Sequence, residues 1–569
     1  MSVNYHRHSM LSNPSTIDST VSNKTYCERA VELKQGIVSS CEHGTKGNIW
    51  QVSELAEEYN LKWRYVAEAY WVKDRFASDR TNAHIILAAK TAKGVGDLND
   101  LLSEANDTGF YGHPRVDLPL LMQLDPNDVF LTTACMQFFK YDWVKDESGH
   151  ITIPSFAETD EIIRQLASRF KKSMLFEVQP HNDENQRRIN EHLLQLSRQY
   201  GIGLIAGLDS HYIYPKQKDD RQILLESKGM KYENEGEMLL DYPDDEEIYR
   251  RFQEQGVLPL NFIKEAIDAT NIFYDFEDVK LPRGSLPVAP KYMKYSQEER
   301  NKIYSDLVWE KWSEFKKGVP PERWDEYEAD IKYEVDTITS TNVSDYFLID
   351  YELVQEGLKR GGKLTKTGRG SGSSWFTNTL LGFSSIDRHL FSIPLLPDRF
   401  ISADRLGAGL FPDLDLNVAD QKPFADAQAY VMGPNHSFRM INYGTYARAG
   451  AWQMYCRAQH VPYEISRAVS DDLKKYEKAL KYAEDDEKDL IDIHDYVPKE
   501  YWEYVDASTE YMGIVTQSGI AACSYILSNT DLRREIGLVR RQDRNTGEYF
   551  LCAEIDGKTA EKWGYVKND

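Results

Sequence analysis

The chain has 569 residues, a formal net charge of −23, 41% hydrophobic and 28% charged residues, and six cysteines that form no Cys-x-x-Cys pair. This length predicts about three to four domains at roughly 150 residues each, and the acidity argues against nucleic-acid binding over the whole surface. Because we find neither a long apolar run nor a secretory pattern at the N-terminus, we expect a cytoplasmic protein with reduced thiols and no membrane span.

The N-terminal half alternates short apolar runs with polar helical stretches. Runs such as 84–87 (HIIL) and 204–206 (LIA) have the composition of buried strands, whereas residues 183–200 have the polar periodicity of a surface helix. Repeated strand-and-helix units predict a parallel sheet wrapped by helices, as in a (β/α) barrel.

Two short pairs in this half suggest a metal site. His6 and His8 are separated by one residue, as are Asp209 and His211, so in an extended strand each pair projects from one face. A lone buried histidine is more often a hydrogen-bonded core residue than a ligand, but two such pairs beside apolar runs favour a site. Mixed ligands of this kind suit Zn²⁺, Mn²⁺ or iron in a multinuclear site that hydrolyses phosphoesters. Further candidate ligands lie at or near predicted strand ends, namely Asp18, His43, Glu68, His84 and Cys135.

A proline-containing linker at 281–290 is followed by helical segments over 297–318 and 324–339. Next comes a run of small residues, 368–374 (GRGSGSS), which leads into an apolar stretch that Gly382 ends. This pattern predicts a glycine-rich loop before a short helix, and such a loop offers backbone N–H groups and the positive end of the helix dipole to a phosphate.

The segment 411–417 (FPDLDLN) alternates acidic and apolar residues. In a strand, Asp413 and Asp415 would project together while Leu414 and Leu416 pack behind them. Two such carboxylates can bind a pair of Mg²⁺ ions, which is the requirement for two-metal phosphoryl transfer. A bare Asp-x-Asp is more often a solvated edge, and glycine-rich loops are commonly only loops. The two motifs in this order, however, predict a nucleotidyltransferase palm.

Short motifs occur in one order along nearly the whole chain. In the N-terminal half they are 6–8 (HRH), 42–44 (EHG), 65–70 (YVAEAY), 84–90 (HIILAAK), 114–115 (PR), 133–135 (TAC) and 209–212 (DSHY). In the C-terminal half they are 345–349 (DYFLI), 368–371 (GRGS), 380–382 (LLG), 398–400 (DRF), 412–415 (PDLD) and 443–445 (YGT). The set resembles the polymerase-and-histidinol-phosphatase (PHP) domain, palm and thumb entry of bacterial replicative DNA polymerase III alpha subunits (family C).

The resemblance implies an α/β multidomain chain. We expect a (β/α) barrel-like PHP domain over 1–275, then a nucleotidyltransferase-type α+β palm over 276–420 and 511–569, with a helical thumb over 421–510 inserted. It also implies DNA-templated DNA synthesis from primer–template DNA and deoxynucleoside triphosphates, together with a 3′–5′ exonuclease activity of the PHP domain.

Residue by residue, the resemblance assigns catalytic metal binding, with Mg²⁺, to Asp413, Asp415 and Asp569. It assigns the incoming nucleotide to Arg369, Gly370, Ser371 and Arg399. In the PHP domain it assigns Zn²⁺, Mn²⁺ or iron to His6, His8, Asp18, His43, Glu68, His84, Cys135, Asp209 and His211.

Three departures from the family pattern indicate a divergent, phage-like member: Glu42 stands where Asp is usual, Gln517 where His is common, and Leu416-Asn417 replaces a more hydrophobic continuation. The sequence ends at Asp569 in 565–569 (YVKND), which matches the Val-Lys-x-Asp segment just before the fingers. We therefore expect poor primer extension by this chain alone, and a second polypeptide that carries the fingers and C-terminal domains.

Two other functions stay open. The chain could be a stand-alone metal-dependent phosphoesterase or nuclease with a vestigial palm, whose activity is lost with His8→Ala and kept with Asp413→Ala. It could also be a non-catalytic scaffold that binds replisome DNA in a salt-dependent manner.

Overall fold

The computed structural model describes residues 2–147, 149–230, 238–365, 370–407, 411–412 and 414–568. The chain forms two compact units. The first comprises Met1–Leu281, Tyr443–Gly519 and Val539–Tyr549, and the second comprises Pro282–Asn442, Ile520–Leu538 and Phe550–Asp569. Among the described residues, no helix combines the length and apolar character that a membrane crossing requires.

The first unit is built on a seven-stranded sheet with the order β1-β2-β3-β5-β8-β9, in which β4 pairs with β2. A separate two-stranded ribbon is formed by β6 and β7. The strands are β1 Ile37–Ser40, β2 Lys62–Trp71, β3 Ala83–Ala89, β4 Arg115–Val116, β5 Val129–Thr132, β6 Val144–Lys145, β7 Ile151–Thr152, β8 Met174–Val178 and β9 Leu204–Ala206.

This sheet is mixed rather than parallel, which corrects part of the sequence prediction. The pairs β1–β2, β5–β8 and β8–β9 are parallel, whereas β2–β3 and β3–β5 are antiparallel. The loop from β2 to β3 contains no helix, so the chain turns back beside itself instead of crossing over. The outer strands β1 and β9 do not pair in the described chain, and the sheet is a half-barrel rather than a closed barrel.

Helices cover this sheet. They are α1 Asn23–Glu32, α2 Ile49–Glu58, α3 Ala92–Asp107, α4 Leu118–Leu121, α5 Ala157–Phe170, α6 Glu184–Tyr200, α7 Lys218–Glu226, α8 Asp245–Gln255 and α9 Leu260–Ala269. The helix α6 shows how the sequence produces them: Asp183 caps its first turn, Gly201 ends it in the left-handed conformation, and Ile189 and Leu193 on one face are buried.

The first unit also contains three helices from later in the chain, α16 Arg448–Ala458, α17 Tyr463–Tyr482 and α18 Trp502–Thr509. Ala451 and Met454 of α16 pack with Leu224 of α7, and Tyr511 and Ile514 complete this apolar cluster. The helical character predicted for 421–510 is therefore present, but the assignment of these helices to a thumb and the predicted domain boundaries remain predictions.

The second unit is mainly helical around a large aromatic core that includes Trp312, Tyr327, Phe347, Trp375 and Phe376. Its helices are α10 Gln297–Phe315, α11 Trp324–Ser340, α12 Ser344–Lys359, α13 Phe376–Leu380, α14 Ala403–Gly407, α15 Lys422–Met432, α19 Leu532–Glu535 and α20 Gly557–Lys562.

A second sheet has the order β12-β13-β10-β11-β14. Its strands are β10 Ser437–Thr445, β11 Val515–Leu527, β12 Leu538–Gln542, β13 Tyr549–Asp556 and β14 Val566–Asn568.

Candidate metal centre and nucleotide-binding loop

All nine predicted metal ligands of the first unit converge at one edge of the half-barrel. The backbone brings the segments together: Arg7 forms a parallel bridge with Ser210, and His43 forms one with Glu68. Asp209 adopts the left-handed conformation, with φ of 47°, which is uncommon for a residue other than glycine and is often found at functional sites.

Three overlapping groups of side chains each hold their ligand atoms within 4.8 Å of one another. They are His8, His43 and His211; His6, His8 and Glu68; and His43, Glu68 and His84. Glu68 is common to two of them and lies at the centre of the cluster. Its Oε1 is 2.9 Å from His84 Nδ1 and 3.3 Å from His6 Nε2.

The remaining predicted ligands border these groups. Oδ2 of Asp18 lies 2.7 Å from His211 Nε2 and 2.9 Å from His43 Nε2. The Cys135 thiol lies 3.6 Å from His84 Nδ1 and 3.8 Å from Glu68 Oε1. The structure thus brings together residues that are up to 205 positions apart in the sequence, from His6 to His211.

The chemistry of the cluster fits divalent metal ions. Asp209 Oδ1 lies 3.1 Å from the Nε2 atoms of both His6 and His8, yet these three buried atoms form no hydrogen bond in the described structure. Buried polar atoms that face one another without hydrogen bonds are costly unless another partner binds them. Converging imidazole nitrogens and carboxylate oxygens are the ligands that Zn²⁺, Mn²⁺ and iron prefer.

Two residues at the centre of the cluster, His8 and Glu68, have the protonation states that metal binding requires, whereas, despite the burial of both imidazoles, Glu177 and Glu68 raise the pKa values of His6 and His43. Burial, together with the neighbouring His43, lowers the pKa of His8 to about 3, which keeps its imidazole neutral. Burial alone would raise the pKa of Glu68, but His84 and His43 hold it well below its usual value. A neutral imidazole beside an ionised carboxylate is the state in which both residues bind a metal.

Two residues that the sequence reasoning missed hold these ligands in place. Glu177 Oε1 lies 2.6 Å from His6 Nδ1, and its Oε2 accepts hydrogen bonds from Tyr5 and Thr132. Arg221 of α7 forms an ion pair with Asp18 and donates a hydrogen bond to its carbonyl. Only Glu177 carried a signal in the sequence, because it is an acidic residue inside the apolar strand β8.

In the second unit the structure brings together Gly370 and Asp415, which belong to the two predicted palm motifs. Gly370 has φ of 67°, and a Cβ atom on it would collide with the Asp415 carboxylate. The neighbouring Leu414 donates its backbone N–H to the Tyr346 hydroxyl at 3.0 Å. The glycine at 370 is therefore required both by the backbone conformation and by the close carboxylate.

The helix after this loop begins and ends near the predicted positions, at Phe376 and Leu380, and Gly382 follows with φ of 82°. The N–H groups at its start, however, are not free for phosphate. Glu334 of α11, which is fully buried, accepts them from Phe376 at 2.9 Å and from Thr377 at 2.8 Å. The expectation that this helix start offers its amides to an anion was wrong, because Glu334 occupies them.

Arg388 also stabilises the glycine-rich loop. It donates to the carbonyl of Ser374 at 2.8 Å, lies 3.4 Å from Glu334 and forms an ion pair with Asp330. The turn Pro397–Arg399 also packs against the loop, and the Trp375 indole donates to the carbonyl of Pro397. Arg399 itself is exposed and belongs to this turn. Ser371 begins the turn Ser371–Ser374.

The segment around Asp415 is not a strand of the sheet, contrary to the alternation in its sequence. Among its described residues, 411–412 and 414–417, no ladder forms, and one isolated bridge joins Leu364 to Val418. The N–H of Leu414 is bonded to a side chain, so it is unavailable for a ladder. The predicted residues Arg369, Asp413 and Asp569 lie outside the described residues.

Asn568, which precedes Asp569, is buried in a polar cluster. Its amide donates to Asp350 of α12 at 2.9 Å and to Gln428 of α15 at 3.3 Å. The other carboxylate oxygen of Asp350 has no partner in the described part of the chain. Burial raises the pKa of Asp350 to about 8, so this carboxyl group is protonated at neutral pH.

Comparison with known proteins now complements this geometry. Residues 4–181 match the family described as the PHP domain, and residues 302–569 match the family described as the bacterial DNA polymerase III alpha NTPase domain. Residues 4–181 thus have the sequence pattern of a PHP domain, and residues 302–569 have that of a DNA polymerase III alpha domain. The resemblance to the PHP domain and to DNA polymerase III alpha subunits is confirmed, whereas the thumb stays a prediction.

Similar curated proteins carry the name DNA polymerase III subunit alpha. That of Campylobacter jejuni is 24% identical over 92% of this chain and 45% of its own length. That of Aquifex aeolicus is 22% identical over 82% of this chain and 40% of its own length. That of Chlamydia trachomatis is 22% identical over 98% of this chain and 48% of its own length. The chain therefore spans less than half the length of these relatives.

Proposed function

We propose that the chain provides the PHP and catalytic-domain portion of a replicative DNA polymerase of the polymerase III alpha type. The proposal rests on the match of residues 302–569 to the polymerase III alpha domain, and the approach of Asp415 to Gly370 supports it. The substrates would be primer–template DNA and deoxynucleoside triphosphates.

In this proposal Asp415, with Asp413 and Asp569, holds Mg²⁺ for nucleotidyl transfer. Divalent ions neutralise the charge that develops on the transferred phosphate. Arg369, Gly370, Ser371 and Arg399 would bind the triphosphate. Gly370 would allow the phosphates to approach the backbone next to the Asp415 carboxylate, because no side chain intervenes there.

The test measures incorporation of a radiolabelled nucleotide on a primed template. It uses the purified chain alone and the chain mixed with a polypeptide that supplies the rest of the relatives' length. We expect template-dependent incorporation that Asp415→Ala abolishes in either preparation, whereas Asp325→Ala at an exposed site of α11 leaves it unchanged. Incorporation that survives Asp415→Ala would contradict the assignment.

We further propose that the PHP domain is a metal-dependent phosphoesterase that removes nucleotides from the 3′ end of DNA. The observation that supports this second function is the convergence of nine ligand-type side chains, with Glu68 at their centre. Zn²⁺, Mn²⁺ or iron held there supplies Lewis acidity for hydrolysis of a phosphodiester. The chain's own groups orient the ligands, since Glu177 fixes His6 and Arg221 fixes Asp18.

The second function is tested by the metal content and hydrolysis of the purified chain. We expect His8→Ala to lower the bound metal per chain and to abolish chelator-sensitive release of nucleotides from single-stranded DNA. His192→Ala, which removes an imidazole of α6 that pairs with Asp160, is the control and is expected to change neither. A stand-alone nuclease would lose hydrolysis with His8→Ala and show no incorporation in any preparation.

A further inference from the structure

The short strand β14, Val566–Asn568, leads directly to the candidate catalytic residue Asp569. In the described sheet it is an edge strand, and only its three residues pair with β11, from Val566 with Leu527 to Asn568 with Tyr525. A strand of this length has few backbone hydrogen bonds to fix its register. The position of its last residue therefore depends on the contacts of its side chains.

The Asn568 side chain makes such contacts. It is 4% exposed, and its amide donates hydrogen bonds to two different helices, to Asp350 of α12 at 2.9 Å and to Gln428 of α15 at 3.3 Å. Gln428 is held in turn, because its own amide donates to the Ser437 hydroxyl at the start of β10 at 2.6 Å. Three elements of the second unit thus hold the end of β14.

Stability alone does not explain why polar groups occupy this buried position. A carboxyl group and an amide are costly to remove from water, and replacing both partners by apolar groups is often neutral or stabilising. Hydrogen bonds, however, have a direction that apolar contacts lack. These bonds form only when residue 568 faces the core, so they exclude a β14 that has slipped by one residue.

A cavity connects these contacts with the other candidate catalytic segment. It has a volume of about 80 Å³, and its lining includes Asn568 and Gln428 together with Leu416, which follows Asp415. The residue after Asp415 and the residue before Asp569 therefore border the same small space. A shift of β14 would change the spacing of the two segments that carry the candidate carboxylates.

We propose that Asp350 and Gln428 are positioning residues for Asp569. By holding the Asn568 amide they fix the end of β14, and with it the direction of the carboxylate that follows. This inference rests on the proposed polymerase function and adds to it two residues that belong to neither palm motif. Metal-binding carboxylates need such support, because their metal affinity falls when the groups that orient them are lost.

The variants separate this role from a purely structural one. Asp350→Leu removes the acceptor of the Asn568 amide and places there an apolar side chain that branches at the same atom, whereas Asp350→Asn keeps an acceptor. Gln428→Leu tests the second contact independently. The control is Asp345→Leu, because Asp345 is a similarly buried acid of the same helix whose ion pair is with Arg300.

Two quantities are measured for each variant, together with Tm. The first is backbone hydrogen exchange in a peptide covering residues 563–569, relative to the rest of the second unit, and it requires no metal ion. The second is the Mg²⁺ concentration that gives half-maximal nucleotide incorporation on a primed template. Incorporation is measured with the chain alone and with the chain mixed with the polypeptide that supplies the rest of the relatives' length.

We expect Asp350→Leu to speed the relative exchange of this peptide by roughly 3-fold to 10-fold, since one hydrogen bond that holds it is lost. The half-maximal Mg²⁺ concentration should rise by about 10-fold or more. Asp350→Asn should stay near the wild type in both quantities, and Gln428→Leu, which removes the longer bond, should change both by less. Asp345→Leu should lower Tm and leave both quantities at their wild-type values.

Wild-type exchange and Mg²⁺ dependence in Asp350→Leu would overturn the inference, as would faster exchange with an unchanged Mg²⁺ dependence. An equal shift of the Mg²⁺ dependence in Asp345→Leu would also overturn it, because any loss of stability would then produce the effect. If the wild-type chain incorporates no nucleotide in either preparation, the proposed polymerase function fails and the positioning role fails with it.

Discussion

The buried acid Asp350 should make the stability of the chain depend on pH. It lies in the core of the second unit and is 1% exposed, and among the described residues Asn568 is bonded to one of its oxygens while the other has no partner. Burial raises its pKa from 3.8 to about 8. Below pH 4 the group is protonated in both the folded and the unfolded chain. Between pH 4 and pH 8 the unfolded chain ionises while the folded one does not.

The sign of the effect follows from these two values. The unfolded state binds fewer protons in this window, so the contribution of Asp350 to stability is fully present below pH 4 and is lost as the pH rises to 8. Each pH unit costs about 1.4 kcal/mol, so a shift of roughly 4 units amounts to a loss on the order of 5 kcal/mol by pH 8.

Asp350→Asn removes this titration and keeps the oxygen that accepts from Asn568. We therefore expect the difference in unfolding free energy between the variant and the wild type to grow by about 1.4 kcal/mol per pH unit from pH 5 to pH 8. At about 2–4 °C per kcal/mol for a unit of this size, the difference in Tm should grow by roughly 10 °C over that range.

The assay is a set of thermal unfolding scans at pH 5, 6, 7 and 8 and constant ionic strength. Asp325→Asn, an exposed acid of α11, is the control and should follow the wild-type curve. Wild-type and Asp350→Asn curves that stay parallel over this range would refute the reasoning, because the buried carboxyl group would then titrate as it does in the unfolded chain.

Three further outcomes are expected. Gly370→Ala should reduce nucleotide incorporation by about 100-fold or more, because the added methyl group would collide with the Asp415 carboxylate. Gly382 has a similar φ and no atom within 4 Å of an added Cβ, so Gly382→Ala should cost only about 1 kcal/mol of stability and leave incorporation nearly unchanged. Equal losses of incorporation in the two variants would contradict this prediction. Glu334→Ala leaves two buried N–H groups without their acceptor and removes one of the two carboxylates beside Arg388, so it should lower the unfolding free energy of the chain by roughly 3–5 kcal/mol in urea. Glu334→Gln, which keeps an acceptor, should lower it by less. Arg221→Ala should weaken metal binding by about 10-fold to 100-fold in a chelator competition with no loss of Tm beyond a few degrees, and an unchanged affinity would show that Asp18 needs no support.

Much of the metal centre could be predicted because its ligands carry local signals. His6 and His8 are spaced for one face of an extended chain, and Glu68 and His84 lie in apolar runs that became strands. The sheet topology could not be predicted in the same way. The strand after β2 can be parallel to it, reached by a crossover connection, or antiparallel, reached by a loop that turns back. The charged and polar sequence of the loop after β2 is compatible with both connections.

The loop that contains Gly370 illustrates a different limit of sequence-based prediction. The small residues of 368–374 predicted a glycine-rich loop. The structure shows why glycine stands at position 370, since the Asp415 carboxylate fills the space that a side chain would take. The strand predicted for Asp415 did not form, because alternation describes which side chains are buried and does not specify a hydrogen-bonding partner. In this segment the partner of Leu414 is the hydroxyl of Tyr346.

Glu334 explains why a glycine-rich loop before a helix is a weak signal of phosphate binding by itself. The helix Phe376–Leu380 has only one turn. The N–H groups of Phe376 and Thr377 at its start already donate hydrogen bonds to the Glu334 carboxylate of α11. A phosphate bound by this loop would have to use groups from Gly370 to Ser373 and the side chains nearby. The conformation of those groups depends on Glu334 and Arg388, which belong to no motif and are 54 residues apart in the sequence. Substitutions at these two buried positions should therefore change nucleotide binding without touching the nucleotide.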